Sequence, residues 1–188
     1  MTEYFFTNRW FADSEIKQNF SALASMLGTQ NVLNLLEIGS FEGASSVYFA
    51  DHLLSNPESR LTCVDPFDLG DKTTPLTGST EYIFLSNLDK CKYKNQINFK
   101  RTISDEFFAG QDQVFDFIYL DGSHELDAIR KDFHNSLNVL KPNGILWMDD
   151  YGAKHVGIDK CIDQLYEENK TRLRIIYKGG WQIAFQKS

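Results

Sequence analysis

Basic residues are scarce in this chain relative to acidic ones, and this shortage bears on its partners. The formal net charge is −7, with 19 Lys and Arg against 26 Asp and Glu. Binding along a nucleic-acid backbone requires a basic surface. Nucleic acid is therefore not expected as the main partner of this protein.

Cysteines and long apolar runs are also few. The three cysteines, Cys63, Cys91 and Cys161, are scattered and odd in number, with no C-x-x-C or Cys/His spacing of a metal site. No apolar run approaches the ~20 residues of a membrane-spanning helix. The start Met1-Thr2-Glu3-Tyr4 lacks the basic and apolar regions of a signal peptide. A reduced, cytoplasmic location without membrane contact is the expectation.

The length of 188 residues, with 42% hydrophobic and 14% aromatic residues, is typical of one globular domain. A single domain over residues 1–188 is predicted, with residues 1–30 as a helical and aromatic cap. Three roles stay open for the aromatic side chains of this cap. They would cover a bound acceptor, form the contact of a homodimer, or simply pack over the sheet edge.

Apolar runs and helical patterns alternate along the chain, which predicts an α/β fold with a mostly parallel sheet and helices on both faces. Gly179-Gly180 separates two final strand-like runs and indicates an antiparallel hairpin, so seven strands are expected. A leading helix is predicted from residue 13 or 14 to Leu27, ended by Gly28. Residues 66–78 lack any periodicity and are predicted to be a lid or binding loop. The predicted strands are 32–38, 60–65, 97–101, 115–120, 144–148, 173–177 and 181–185. The helix after the first strand is predicted to end near residue 54, and the later helices are predicted at 79–92, 125–140 and 157–169.

The turn after the first predicted strand carries the most specific motif, Glu37-x-Gly39-x-x-x-Gly43. A strand that turns sharply into a helix lets backbone approach a ligand, and the helix N-terminus offers N–H groups to negative charge. The spacing differs from the G-x-G-x-x-G of dinucleotide-binding folds, and Glu37 would repel a pyrophosphate. The ammonium of S-adenosylmethionine suits this acid, and its carboxylate suits the helix start with the Ser45 hydroxyl. Close packing of strand on helix is the alternative role for the two glycines.

Polar residues at the ends of the next two strands complete the expected cofactor site. Asp65 ends the second strand, and an acid at this edge of an open sheet can accept hydrogen bonds from both ribose hydroxyls. Ser104 and Asp105 follow the third strand and are placed to bind the adenine amino group. A helix cap is the alternative role for Ser104.

Three acids follow the fourth and fifth strands. Asp121 comes directly after one, and Asp149 and Asp150 follow the other. If these two strands are parallel neighbours, their carboxyl ends bring the three carboxylates to one edge of the sheet. Like charges there raise each other's pKa unless a cation lies between them. A hard divalent ion with oxygen ligands, Mg²⁺ first, is the expected occupant. Such an ion would also bind a vicinal diol and make its hydroxyl more acidic.

His124 lies three residues beyond Asp121, at the start of a predicted helix. From there its imidazole can take the proton of a coordinated hydroxyl, so His124 and Asp121 are the expected catalytic residues. The alternative is that Ser123 caps the helix and His124 is a surface residue.

At these residues the chain resembles class I S-adenosylmethionine-dependent methyltransferases, and more narrowly the metal-dependent O-methyltransferases that include catechol-type and bacterial sugar enzymes. The resemblance covers about residues 33–152, and residues 37–45 match the family's first motif position for position. It implies the Rossmann-like class I methyltransferase fold. The Asp-x-x-His of Asp121 and His124, with the Asp149-Asp150 pair, looks most like the sugar enzymes. Catechol-type enzymes have a lysine near the position of His124 and an asparagine as the third metal ligand.

The resemblance implies a Mg²⁺-assisted transfer of a methyl group to a hydroxylated small molecule, a sugar or another diol. Three rival functions stay open: a metal-free methyltransferase, a non-catalytic protein that binds S-adenosylmethionine, and a nicotinamide oxidoreductase. The metal ligands that the resemblance implies are Asp121, Asp149 and Asp150, and the cofactor contacts that it implies are Glu37, Gly39, Ser45 and Asp65. The full set of predicted cofactor contacts also includes Ser40, Gly43, Ser104, Asp105 and Asp121.

Overall fold

A computed structural model describes residues 3–8, 11, 18–67, 80–152 and 157–188 of the chain. Within these residues, seven strands form one sheet in the order β3-β2-β1-β4-β5-β7-β6. The first five strands along the chain run parallel, and β7 is antiparallel to both β5 and β6. The strands are β1 (Asn34–Ile38), β2 (Arg60–Val64), β3 (Ile97–Lys100), β4 (Phe115–Leu120), β5 (Leu140–Met148), β6 (Leu173–Gly179) and β7 (Gln182–Lys187).

Helices cover both faces of the sheet. One apolar core lies between the sheet and α1, α2 and α3, and a second core lies between the sheet and α4, α5 and α6. The fold is therefore the three-layer α/β arrangement that the sequence predicts. The helices are α1 (Leu23–Leu27), α2 (Ala44–Leu53), α3 (Thr80–Lys90), α4 (Ser104–Ala109), α5 (Leu126–Val139) and α6 (Ile158–Asn169).

The central strands are buried on both faces because their residues supply the two cores in alternation. In β4, Phe117 and Tyr119 belong to the first core, and Ile118 and Leu120 belong to the second. Successive side chains of a strand point to opposite faces, so a continuous apolar run is typical of a strand in a sheet that helices cover on both faces. The carboxyl ends of β1, β2, β4 and β5 then lie along one edge.

Several element boundaries differ from the sequence prediction. Strand β5 begins at Leu140, four residues earlier than predicted, because Leu140 pairs with Phe115 of β4 beyond a register shift. The leading helix is not continuous: residues 18–19 are helical, a turn follows at residues 20–22, and α1 then runs to Leu27. Gly28 ends α1 as predicted, in the left-handed conformation with φ 69°.

Two predicted features lie wholly or largely outside the described residues. These are most of the predicted lid at 66–78, of which residues 66–67 are described, and the beginning of the leading helix at 13–17. Among the described residues, no helix combines the length and the apolar character that crossing a membrane requires. The single domain over 1–188 and the cytoplasmic location stay predictions.

Candidate functional site

Glu37 lies at the carboxyl end of β1 and is fully buried. Its Oε2 accepts hydrogen bonds from the Ser40 hydroxyl at 2.8 Å and from the Ser46 hydroxyl, while no hydrogen bond to Oε1 occurs within the described residues. Burial raises the pKa of Glu37, and the nearby hydroxyls of Ser45, Ser46 and Ser40 oppose the shift. The serines of the motif therefore surround this acid, and one carboxylate oxygen keeps its capacity to accept.

Asp65 follows β2 and connects the turns after two neighbouring strands. Its Oδ2 accepts the backbone N–H groups of Ser40 at 2.9 Å and Phe41 at 2.8 Å, and its Oδ1 accepts that of Phe67 at 2.6 Å. A carboxylate that binds three backbone donors fixes the shape of the turn after β1. Asp65 and Glu37 thus lie on either side of the same turn, as the sequence predicts.

Gly39 permits a close approach within the protein itself. A Cβ on Gly39 would lie 1.9 Å from the Asp121 carbonyl oxygen, and its φ is 87°. Gly43 also has a positive φ, 84°, as the N-cap of α2, and a Cβ there would lie 2.9 Å from Phe84. Both glycines therefore permit close packing, which was the alternative role expected for them. At Gly39 this packing brings the turn after β1 into contact with the loop after β4.

Glu42 belongs to the motif but was not predicted to have a role. Its buried carboxylate accepts the backbone N–H of Thr7 at 2.6 Å and the Thr7 hydroxyl, and the N–H of Asn8 at 3.4 Å. The Asn87 amide completes this attachment by bonding both the N–H and the C=O of Phe5, at 2.9 and 2.7 Å. Residues 3–8 are therefore fixed beside the turn after β1. The position of Glu42 inside the turn of the motif was the one sequence signal that could have indicated this role.

Asp121, His124 and Asp150 converge at the carboxyl ends of β4 and β5. Each offers one potential ligand atom, and these atoms lie within 4.8 Å of one another. His124 Nε2 is 2.7 Å from Asp150 Oδ2. This contact places the proton of a neutral imidazole on Nε2 and its lone pair on Nδ1. The predicted helix start at residue 125 is one residue early, because α5 begins at Leu126.

Asp149 has a different position from its two acidic neighbours. Its Oδ2 accepts the Tyr119 hydroxyl and the Gln182 amide, the latter at 3.2 Å, and its Oδ1 accepts the Asp150 N–H at 2.8 Å. The structure thus brings His124, rather than Asp149, into the group with Asp121 and Asp150. The roles of Tyr119 and Gln182 could not be foreseen from the sequence, since both look like ordinary strand residues.

Two acids at this edge of the sheet, Asp121 and Asp149, have raised pKa values. Burial raises the pKa of Asp121 well above its usual range, and the nearby charges of Asp149, Asp150 and Glu37 raise it further. Burial also raises the pKa of Asp149, although the hydrogen bond from Tyr119 opposes the shift. Carboxylates held together in a poorly solvated place repel each other until a proton or a metal ion neutralises them.

Ser104 and Asp105 open α4, but their side chains do not point the same way. The Ser104 hydroxyl lies near the buried Asp132 of α5 and lowers the pKa of that acid, while Asp105 forms an exposed ion pair with Lys131 at 2.9 Å. Ser104 makes no cap hydrogen bond, because the N-cap of α4 is Ile103. Their contact with adenine stays a prediction.

Comparison with known families identifies the type of domain. Residues 36–151, which include the turn after β1 and all three acids, match a family described as "Methyltransferase domain". The chain belongs to this methyltransferase family. The match confirms the resemblance to class I S-adenosylmethionine-dependent methyltransferases and the prediction of an enzyme. A search of curated proteins found no match.

Solved methyltransferase structures share the fold across nearly the whole chain. An O-methyltransferase from Bacillus cereus in complex with S-adenosylhomocysteine has a TM-score of 0.68 and 18% identity, with 94% of this chain and 82% of that chain covered. The O-methyltransferase TomG from Streptomyces achromogenes, in complex with S-adenosylmethionine, has a TM-score of 0.65 and 18% identity, with 92% and 79% covered. CalS11, a TDP-rhamnose 3'-O-methyltransferase, has a TM-score of 0.64 and 12% identity, with 94% and 82% covered. These likenesses show the class I methyltransferase fold.

Proposed function

We propose that this methyltransferase transfers the methyl group of S-adenosylmethionine to an oxygen of a hydroxylated small molecule, a sugar or another diol, with the help of Mg²⁺ or a similar divalent cation. The observation that carries the proposal is the convergence of Asp121, His124 and Asp150 beside the turn that Glu37 and Asp65 organise. Methyl-donor and acceptor sites would then share one edge of the sheet, as in other open α/β enzymes.

The residues around the turn after β1 fit a cationic nucleoside. One buried oxygen of Glu37 accepts no hydrogen bond from any described residue, so an ammonium N–H would satisfy it. The Ser45 hydroxyl and the N-terminus of α2 suit a carboxylate. Asp65 would bind the ribose, and Ser104 with Asp105 would bind the adenine. The further contacts expected from the motif are Gly39, Ser40, Gly43 and Asp121.

The acidic group at β4 and β5 fits a divalent cation and an acceptor hydroxyl. Asp121 and Asp150 would hold the cation through hard oxygen ligands, and His124 either completes the set or removes the proton of the acceptor. Asp149, the third predicted ligand, would support them from the side. When bound, the cation lowers the pKa of a hydroxyl and S-adenosylmethionine supplies an electrophilic methyl group. The protein contributes orientation of the two reactants.

The acceptor class rests on the residues and on the solved relatives. Two carboxylates and an imidazole suit a vicinal diol, which offers two neighbouring oxygens to one cation. One structural relative acts on TDP-rhamnose and another is involved in tomaymycin synthesis, so both act on small molecules. A homodimer, in which the aromatic N-terminal residues make the contact, is a further proposal that light scattering tests.

Calorimetry and an activity panel test the proposed function. The purified chain is expected to bind S-adenosylhomocysteine and to methylate at least one member of a panel of nucleotide sugars, free sugars and catechols. A chelator should abolish the activity and Mg²⁺ should restore it. Asp150→Asn is expected to lower turnover at least tenfold while affinity for S-adenosylhomocysteine changes little, whereas Asp89→Asn on the exposed end of α3 should change neither.

The rival functions give different results in the same experiments. Activity that survives the chelator identifies a metal-free methyltransferase. Binding of S-adenosylhomocysteine without transfer to any acceptor indicates a non-catalytic subunit. Binding of a nicotinamide nucleotide instead of S-adenosylhomocysteine would contradict the proposal altogether.

A further inference from the structure

A chain of buried hydrogen bonds lies behind the acidic group and runs through Gln182 of β7. Gln182 is fully buried, and its Oε1 accepts the Trp147 indole N–H at 3.0 Å and the Asn19 amide at 3.0 Å. Two donors on the same oxygen fix which end of the amide is the carbonyl. The amide nitrogen must therefore face the other way, toward β4 and the end of β5.

The orientation of Gln182 decides what the side chain of Asp149 can do. Gln182 Nε2 donates to Asp149 Oδ2 at 3.2 Å, and the Tyr119 hydroxyl donates to the same oxygen. Asp149 Oδ1 accepts the N–H of Asp150, whose φ is 61°. Asp149 is thus held through both oxygens, and one of them binds the backbone N–H of Asp150, the residue that contacts His124.

The same chain of bonds begins in the N-terminal part of the molecule. Asn19 Nδ2 also donates to the Gly180 carbonyl at 3.2 Å, and Asn19 Oδ1 accepts the Tyr177 hydroxyl at 2.5 Å. Tyr177 stacks on Trp147 with ring centroids 5.0 Å apart. Asn19 is consequently fixed at three points, and its bond to Gln182 joins the N-terminal segment to the acidic group.

We infer that Gln182 is a positioning residue, which acts through Asp149 to aim Asp150 at His124 and Asp121, and that Asn19 sets the amide orientation that this requires. Within the described residues, Gln182 forms no hydrogen bond with Asp150, His124 or Asp121, so any effect on them passes through Asp149. The inference rests on the proposed function, because only that function gives Asp150, His124 and Asp121 a part in the reaction. It adds two residues, from β7 and from the N-terminal segment, that the methyltransferase match over residues 36–151 does not include.

Substitutions of Gln182 test this inference. Gln182→Leu removes the amide with little change of volume, and Gln182→Glu keeps the acceptor for Trp147 but places a carboxylate beside Asp149. Gln186→Leu is the matched control, because Gln186 lies on the same strand and bonds Arg174 and the Asn143 carbonyl instead. A crystal structure of Gln182→Leu is expected to show Asp149 moved and Asp150 beyond hydrogen-bond distance of His124.

Binding and kinetics give the second readout. Gln182→Leu and Gln182→Glu are expected to lower the affinity for Mg²⁺ and kcat by 10–100-fold, the usual effect of removing a residue that orients ligands. Affinity for S-adenosylhomocysteine and the KM for the methyl donor should stay near the wild-type values. Asn19→Ala should act in the same direction, and its effect should vanish in the Gln182→Leu background.

Failure of this inference is distinguishable from failure of the proposed function. An unchanged contact between Asp150 and His124 in the crystal structure of Gln182→Leu would overturn the inference, whether or not the wild-type protein methylates any acceptor. Equal losses in Gln186→Leu would also overturn it, because they would reflect general destabilisation of β7. Absence of any methyl transfer by the wild type, with the contact broken in Gln182→Leu, would count against the proposed function alone.

Discussion

Gly39 is the residue at which the backbone of the site is most tightly constrained. A side chain there would meet the backbone of the loop after β4, with 1.9 Å between the added Cβ and the Asp121 carbonyl oxygen. Backbone on both sides leaves no flexible side chain to give way. We expect Gly39→Ala to lower the free energy of unfolding by more than 3 kcal/mol, or to prevent folding, as measured by urea denaturation.

Substitutions at two other glycines distinguish the two causes of this cost, which are the steric clash of the added Cβ and the backbone strain of a positive φ. Gly152 has φ 78°, and a Cβ there would meet no heavy atom of the described residues within 4 Å. Gly110 has φ −112° and is equally open toward those residues. Gly152→Ala should therefore cost about 1 kcal/mol, and Gly110→Ala should cost nothing. Equal costs for Gly39→Ala and Gly152→Ala would show that the turn after β1 can move away from the loop after β4.

Asp132 is a buried acid whose ionisation opposes folding. Burial raises its pKa from an ordinary 3.8 to about 6, and the Ser104 hydroxyl only partly offsets this. Between these pH values the folded chain keeps a proton that the unfolded chain has lost. The contribution of Asp132 to stability therefore falls as the pH rises from about 4 to about 6, and it stays low above that range.

Asp132→Asn removes this ionisation and keeps a polar side chain of nearly the same size beside Ser104. The variant should exceed the wild type in free energy of unfolding by roughly 2 kcal/mol at neutral pH, and this difference should shrink toward pH 4. Urea denaturation at both pH values measures it, with the exposed Asp89→Asn as the control. A difference that is the same at both pH values would contradict a raised pKa.

At the scale of elements, the extended segment 3–8 depends on two buried side chains. Glu42 binds the backbone and hydroxyl of Thr7, and Asn87 binds the backbone of Phe5. Loss of such acceptors costs about 1–3 kcal/mol. Glu42→Ala should therefore speed hydrogen exchange of a peptide covering residues 3–8 by roughly 5–150-fold, as measured by mass spectrometry.

The control for this experiment is Glu167→Ala, which removes an exposed ion pair with Lys170 on α6. It should leave exchange in residues 3–8 unchanged. If Glu42→Ala also leaves this exchange unchanged, the segment is fixed by its apolar contacts and not by the carboxylate.

The strands and helices were largely predictable because each carries a local signal, and the contacts at the site were not. The apolar run 115–120 predicted β4 to the residue, and Gly28 predicted the end of α1. The acids Asp121 and Asp150 were predictable because parallel strands end at one edge. The partners of Asp149 were not, since Tyr119 and Gln182 lie 63 residues apart in sequence and meet only through the order of the strands.

At the scale of the whole molecule, the C-terminal hairpin lies within the fold although the family match ends before it. Ile183, Ala184 and Phe185 of β7 are fully buried, and β7 pairs with β5 over four positions. A chain that ends at residue 171 would expose β5 as an edge and open both cores. Burial of one large apolar side chain contributes about 1.5–3 kcal/mol, and total stabilities are only about 5–15 kcal/mol.

We therefore expect the chain truncated after residue 171 to show no cooperative thermal transition by circular dichroism, because the remaining core cannot offset the conformational entropy of folding. A chain that lacks only residues 1–8 should keep a cooperative transition at a lower temperature, since it loses one anchored segment and no strand. A cooperative transition in the chain that ends at residue 171 would show that residues 1–171 fold without the C-terminal hairpin, and that the prediction of one domain over residues 1–188 is wrong at its C-terminal end.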